Sequence, residues 1–256
     1  MLMRKFTYIK GLCALLLCLI LTLCGCSASP GGMTSEDFSA VTNPTATNAA
    51  GITTTSRTLV DNPINFEELR SINTDLYAWI EIPDTNINYP VAQSSNEDDN
   101  FYLHHNYQGN YEFAGTIYSQ RQNSKYFGDP VTVLYGHNML NGSMFADLHK
   151  FSDKEFFDSH DTMYIYTANR IFTYKIFAAY EYDDRHILNS FDFADKKVFE
   201  VYLEDCLNPH SANANVRKGV KLTTDDCILV LSTCTDYNSS LRYLVQGVLI
   251  NEQETN

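Results

Sequence analysis

The sequence predicts a mainly β domain: a closed barrel of about eight strands with a helix at its start and a second helix inserted before the last two strands. Three observations carry this. Short runs of β-branched and aromatic residues recur between turn-forming clusters, the pattern of strands half-buried in a sheet. Apolar residues take up helical spacing near the start of the folded part and again around residues 192–208. Eight strands, largely antiparallel, can close around their own side chains, and closure removes exposed edges.

Asn65 followed by Glu68 reads as an N-cap with its reciprocal acid, and Phe66, Leu69, Ile72 and Leu76 give the opening helix one apolar face. Trp79-Ile80-Glu81-Ile82-Pro83 is a strand stopped by proline. Residues 87–92, 115–119, 131–135, 162–167 and 171–182 follow as further strands. Val198, Phe199, Tyr202, Leu203, Cys206 and Leu207 then recur at helical spacing, which predicts the inserted helix. Residues 228–234 and 244–250 form the closing hairpin.

Arg4, Lys5 and Lys10 precede an uninterrupted apolar stretch at 11–24, so residues 1–26 are an export signal or a membrane anchor. Leu23-Cys24-Gly25-Cys26 resembles a bacterial lipobox, in which cleavage before Cys26 leaves its thiol lipidated. The alternative is an uncleaved anchor, since about 20 apolar residues span a bilayer and the run extended back to Phe6 nearly reaches that. Either way the chain is tethered outside the cytoplasm. Ser27 to Arg57 is rich in Ser, Thr, Ala, Asn and Gly without apolar periodicity, so residues 27–60 are expected as a flexible spacer. Residues 61–256 then make one working domain. With 18 Lys and Arg against 31 Asp and Glu, the net charge of -13 excludes a nucleic-acid-binding surface.

Of seven cysteines, Cys13, Cys18, Cys24 and Cys26 belong to the leader, which leaves Cys206, Cys227 and Cys234. An odd count in an exported domain means either a Cys206–Cys227 disulfide beside one free thiol or three reduced cysteines. We read Cys206 and Cys227 as buried and reduced, because Cys206 fits the apolar stripe of the inserted helix. Cys234 differs: it follows the polar Ser232-Thr233 step at the end of an apolar strand, where a thiol can meet solvent.

Arg242 opens the partner strand of the closing hairpin, so the turn brings cation and sulfur together. His137 ends Val131-Thr132-Val133-Leu134-Tyr135-Gly136, and the two-residue period puts Tyr135 and His137 on one face. Gly136 between them permits close backbone approach. These three residue types suit acyl transfer. A free thiol is only a few per cent ionised at neutral pH, and a cation or an imidazole raises its nucleophilicity. A guanidinium holds a developing oxyanion, and an imidazole protonates the leaving amine. His104, His105, His149, His160, His186 and His210 lack metal-ligand spacing and read as surface or turn residues, so neither metal nor cofactor is expected.

Tyr135-Gly136-His137-Asn138-Met139, Leu231-Ser232-Thr233-Cys234-Thr235 and Leu241-Arg242 together resemble the sortases, cysteine transpeptidases of the Gram-positive cell surface. Ile87-Asn88-Tyr89-Pro90-Val91, Asn100-Phe101-Tyr102-Leu103 and Gly142-Ser143-Met144-Phe145 are similar to class B. The resemblance implies that Cys234 attacks the Thr carbonyl of a C-terminal sorting signal, with His137 as acid and base and Arg242 orienting substrate. An amine of lipid II or peptidoglycan then resolves the thioacyl enzyme; a pilin lysine is the other acceptor. Asn100, Leu103, Tyr135 and Ser232 match positions that line the class B groove. The implied signals are NPxTN/G-like or SPxTG/PPxTG-like. Thr235 and Ser119 depart from the Glu and Asp common among relatives. A non-enzymatic, surface-anchored binding lipoprotein is the competing reading, in which the 17 Tyr and 15 Phe supply stacking surfaces.

Overall fold

The structure is a computed structural model that describes residues 59–235 and 240–256. The leader, the lipobox at Cys26 and nearly all of the expected spacer lie outside the described residues. Among the described residues no helix is long and apolar enough to cross a membrane.

Helix α1 (Phe66–Ile72) starts where Asn65 accepts the Glu68 amide at 3.1 Å. It ends one turn earlier than its apolar spacing suggests. The Asn73 side chain accepts the Asp75 amide at 3.0 Å, a local bond that competes with the next helical turn. Leu76, expected on the helix, therefore opens strand β1 (Leu76–Glu81) fully buried, whereas Ile72 is left 44% exposed.

The chain continues through β2 (Asn88–Ala92), a 3-10 turn at Phe101–Leu103, β3 (Ile117–Tyr118), β4 (Val131–Tyr135) and a second 3-10 turn at Ala146–Ser152. Helix α2 (Lys154–Ser159), β5 (Thr162–Thr167), β6 (Arg170–Asp183), α3 (Ile187–Ser190) and α4 (Lys196–Leu207) follow. The last strands are β7 (Asn215–Val216), β8 (Ile228–Cys234) and β9 (Leu241–Glu254). Strand β3 is shorter than its sequence run because Gly115 turns at φ +66°, with the Leu103 and Tyr102 carbonyls 2.4 Å from where a Cβ would stand. The helical stretch around 192–208 resolves into α4 alone, capped by Asp195, which accepts the Lys197 amide at 2.9 Å.

Eight strands close in the order β5-β1-β2-β3-β4-β8-β9-β6, sealed by the β5–β6 pairing, and β7 lies against the free half of β6. The barrel is mixed: β2–β3 and β4–β8 run parallel and the other pairs antiparallel. Leu134, Phe145, Leu231 and Val245 pack inside it. On the outer face Val133, Val230 and Leu244 pack beneath Phe199, Tyr202 and Leu203 of α4. Strands β4 and β8 are thus covered on both sides, which is why they read as continuous apolar runs.

Candidate active site

Two ladders converge on one end of β8. The parallel β4–β8 register sets Tyr135 beside Ser232, so His137 and Cys234 leave the sheet two residues beyond that pair. The antiparallel β8–β9 register sets Cys234 opposite Arg242. Each ladder is pinned by its hydrophobic faces, because a one-residue slip would turn buried side chains outward. The three expected residues therefore meet at a cavity of about 330 Å³, with His137, Cys234 and Arg242 in its wall. Asn100, Leu103, Tyr135 and Ser232 line the same cavity.

The strand end carrying Cys234 is clamped. Its carbonyl accepts from Nε2 of His149 at 3.0 Å and from Nδ2 of Asn138 at 3.2 Å. Asn138 is itself held in an isolated bridge with Met144. Arg242 donates from Nη1 to the Leu241 carbonyl at 3.2 Å. All three cysteines of the described domain, Cys206, Cys227 and Cys234, are free thiols.

His137 is half-buried and fixed in both position and tautomer. Its Nε2 lies 3.0 Å from the Leu103 carbonyl; a carbonyl only accepts, so Nε2 carries the proton and Nδ1 is left to exchange one. Phe113 stacks on the ring at 5.0 Å and His104 at 5.3 Å. Burial holds the imidazole below its usual pKa, against the Leu103 hydrogen bond, and His104 adds to the lowering. At position 136 a Cβ would come within 2.4 Å of Ile117 Cδ1 and 2.8 Å of Phe145 Cδ2, so only glycine lets this backbone pass.

The groove residues are organised by hydrogen bonds that the sequence did not reveal. Oδ1 of Asn100 accepts from Tyr118 Oη at 3.1 Å and from Gln120 Nε2 at 3.0 Å. Tyr118, Gln120 and His186 line the cavity, and His186 touches Gln120 through Nε2. Burial pushes the Tyr118 phenol up, Tyr135 and Asp98 add to the rise, and Arg242 opposes it. Tyr135 is also raised by burial, and its hydroxyl is buried without a hydrogen-bond partner.

Most histidines set aside as surface or turn residues prove otherwise. His104 stacks on His137, His149 holds the end of β8, and His186 lines the cavity; His210 alone of the six is exposed. Sequence spacing carried no sign of this, since each contact joins segments more than 30 residues apart.

Residues 80–250 match the family model described as a sortase domain. Sortase B of Listeria monocytogenes is 37% identical over 188 residues, which span 72% of this chain and 74% of that protein. Among solved structures, sortase B of Clostridium perfringens superposes with a TM-score of 0.65 at 32% identity, covering 73% of this chain and 100% of that one. A Staphylococcus aureus sortase B–substrate complex gives a TM-score of 0.64 at 26% identity, over 73% of this chain and 84% of the other.

Proposed function

Because this chain belongs to the sortase family as a class B cysteine transpeptidase, we propose that Cys234 is its nucleophile, His137 its acid and base, and Arg242 its oxyanion partner. Family membership sets aside the non-enzymatic lipoprotein reading. The observation that supports these roles is the register that pairs Cys234 with Arg242 while β4 delivers His137 to the same cavity.

Nδ1 of His137 takes the proton of the Cys234 thiol, and the thiolate attacks the Thr carbonyl of the sorting signal, forming an S–C bond and a tetrahedral oxyanion as the carbonyl π bond breaks. Arg242 holds that oxyanion with directed hydrogen bonds and keeps its proton throughout. Collapse breaks the C–N bond as Nδ1 of His137 gives its proton to the departing amine. An acceptor amine then attacks the thioester, His137 takes up the proton, and the S–C bond breaks to return the thiolate. Tyr135 forms part of the groove wall. Asn100, Leu103 and Ser232 shape the groove around the residues preceding Thr.

Sorting-signal proteins and cell-wall amines are the partners of such an enzyme. The signals we propose here are NPxTN/G-like, with SPxTG/PPxTG-like sequences as the variants to separate from them. The proposed acceptor is lipid II or peptidoglycan, reached while residues 1–26 hold the enzyme at the outer membrane face, either as a span or lipidated at Cys26.

The test incubates residues 61–256 with quenched sorting peptides of each type and a set of amines, and follows cleavage and ligation by mass spectrometry. Cleavage after Thr with ligation to a wall-type amine is expected. Absence of product from every peptide would defeat the proposal.

A further inference from the structure

From His137 runs a strip of aromatic rings that are not part of the cavity lining. Phe113 stacks on His137 at 5.0 Å; His104 lies 5.6 Å from Phe113, and Tyr111 lies 6.5 Å from His104. Tyr111 is 75% exposed, Phe113 44% and Tyr107 41%, and none of them lines the cavity.

The loop that carries these rings is built to hold them outward. His105 bridges to Tyr111, the Glu112 amide donates to the His104 carbonyl at 2.9 Å, and Asn106 accepts the Gln108 and Asn110 amides at 3.0 and 3.1 Å. Neighbouring exposed aromatics on a pinned loop beside a reaction centre mark an interaction surface. Gln108 and Asn110 flank them with exposed side-chain amides, and the Glu112 carboxylate is occupied by Asn106 Nδ2 at 3.0 Å.

We propose that the shelf of Tyr111 and Phe113 docks the saccharide portion of the cell-wall acceptor. This rests on the transpeptidase reading above. The incoming amine surrenders its proton to His137, so the acceptor approaches on the His137 side while the donor peptide fills the cavity. The bulk of the acceptor then lies on the surface that continues outward from His137. Flat aromatic faces complement the C–H faces of pyranose rings, and neighbouring amides pair with hydroxyl and N-acetyl groups. An apolar peptide segment would use the rings but leave the amides without partners.

Two measurements on the full-length protein test this. Equilibrium dialysis with labelled chitotetraose, an N-acetylglucosamine tetramer, needs no turnover: saturable binding is expected, weakened about fivefold by Tyr111→Ala. Binding that is not saturable, or that Tyr111→Ala leaves intact, overturns the proposal whatever the fate of the transpeptidase reading. Kinetics then compare a muropeptide carrying its disaccharide with the same stem peptide freed of sugar. Tyr111→Ala should raise KM about fivefold for the muropeptide alone, with donor-peptide hydrolysis unchanged. Equal KM for the two acceptors in the wild type sinks the idea. So does a raised donor KM in the variant, which would assign the shelf to the departing segment of the sorting signal.

Discussion

Two thiols lean on the same strand with opposite fates. Cys206, on α4, donates from Sγ to Oε1 of Gln246 at 3.2 Å, and Cys234 sits opposite Arg242 four residues earlier on β9. Cys206 is sealed between α4 and the barrel wall, where burial outweighs the polar contacts of Tyr180, Tyr202 and Gln246 and pushes the thiol up to about 12. It is a small apolar side chain in practice. Cys234 ends its strand at a cavity, faced by a guanidinium rather than an amide. On the proposed roles, the difference teaches that reactivity is assigned by position along β9 and by cover, since both cysteines have polar neighbours.

The sharpest way to break the comparison is deletion of each sulfur. Cys234→Ala should lower peptide cleavage by about 10⁴-fold or more, while Cys206→Ala leaves turnover within about twofold and costs roughly 1–2 kcal/mol of stability. Comparable losses of turnover in both variants would erase the distinction. Alkylation comes next. Iodoacetamide should modify Cys234 in the folded protein about 10³-fold faster than Cys206, which reacts only through opening of α4; mass-resolved labelling against time reads both rates.

Replacing the cation while keeping its charge sharpens the account of Cys234. Arg242→Lys should reduce kcat about 100-fold, because an ammonium lacks the planar fork that holds the oxyanion, and a steady-state assay at saturating peptide measures it. An unchanged kcat would reduce Arg242 to a point charge.

The smallest effect concerns protonation, and it follows the same rule of burial with the opposite sign. Burial favours the neutral form of both groups, so it raises Cys206 and lowers His137. Between the lowered pKa of folded His137 and the ordinary value of about 6.5, the unfolded chain binds more protons. Stability contributed by this residue is present above that window and is lost as pH falls through it. Thermal melts of wild type and His137→Gln across acidic pH should show the variant with the flatter profile. A ring titration by NMR placing His137 above the usual imidazole range would contradict the burial argument.

Much of this was legible in the sequence. The strand runs, the α4 stripe and the Cys234–Arg242 hairpin depend on local periodicity and a short connection, and both survive in three dimensions. Leu76 was misplaced because a helical stripe and the first residue of a buried strand look alike until Asn73 is seen to end the helix. The mixed character of the barrel was not legible either. The β4–β8 pair joins segments 97 residues apart in parallel, and no sequence period announces it. His137 was found by its strand-end position and its family motif, whereas Tyr118, Gln120 and His186 enter the groove only through that long-range closure. The roles of His104 and His149 were hidden for the same reason.

Strand β9 has a mechanical implication. It starts beside the cavity at Leu241 and ends at Glu254, where Val60 pairs with Thr255 and donates to the Glu254 carbonyl at 3.1 Å. From Arg242 to Glu254 a strand covers about 40 Å at a rise of roughly 3.3 Å per residue. Val60 is therefore paired at one end of β9, and Cys234 lies opposite its other end. A pull applied at Val60 would load that bridge first and reach the Cys234 end of the barrel only after the length of β9.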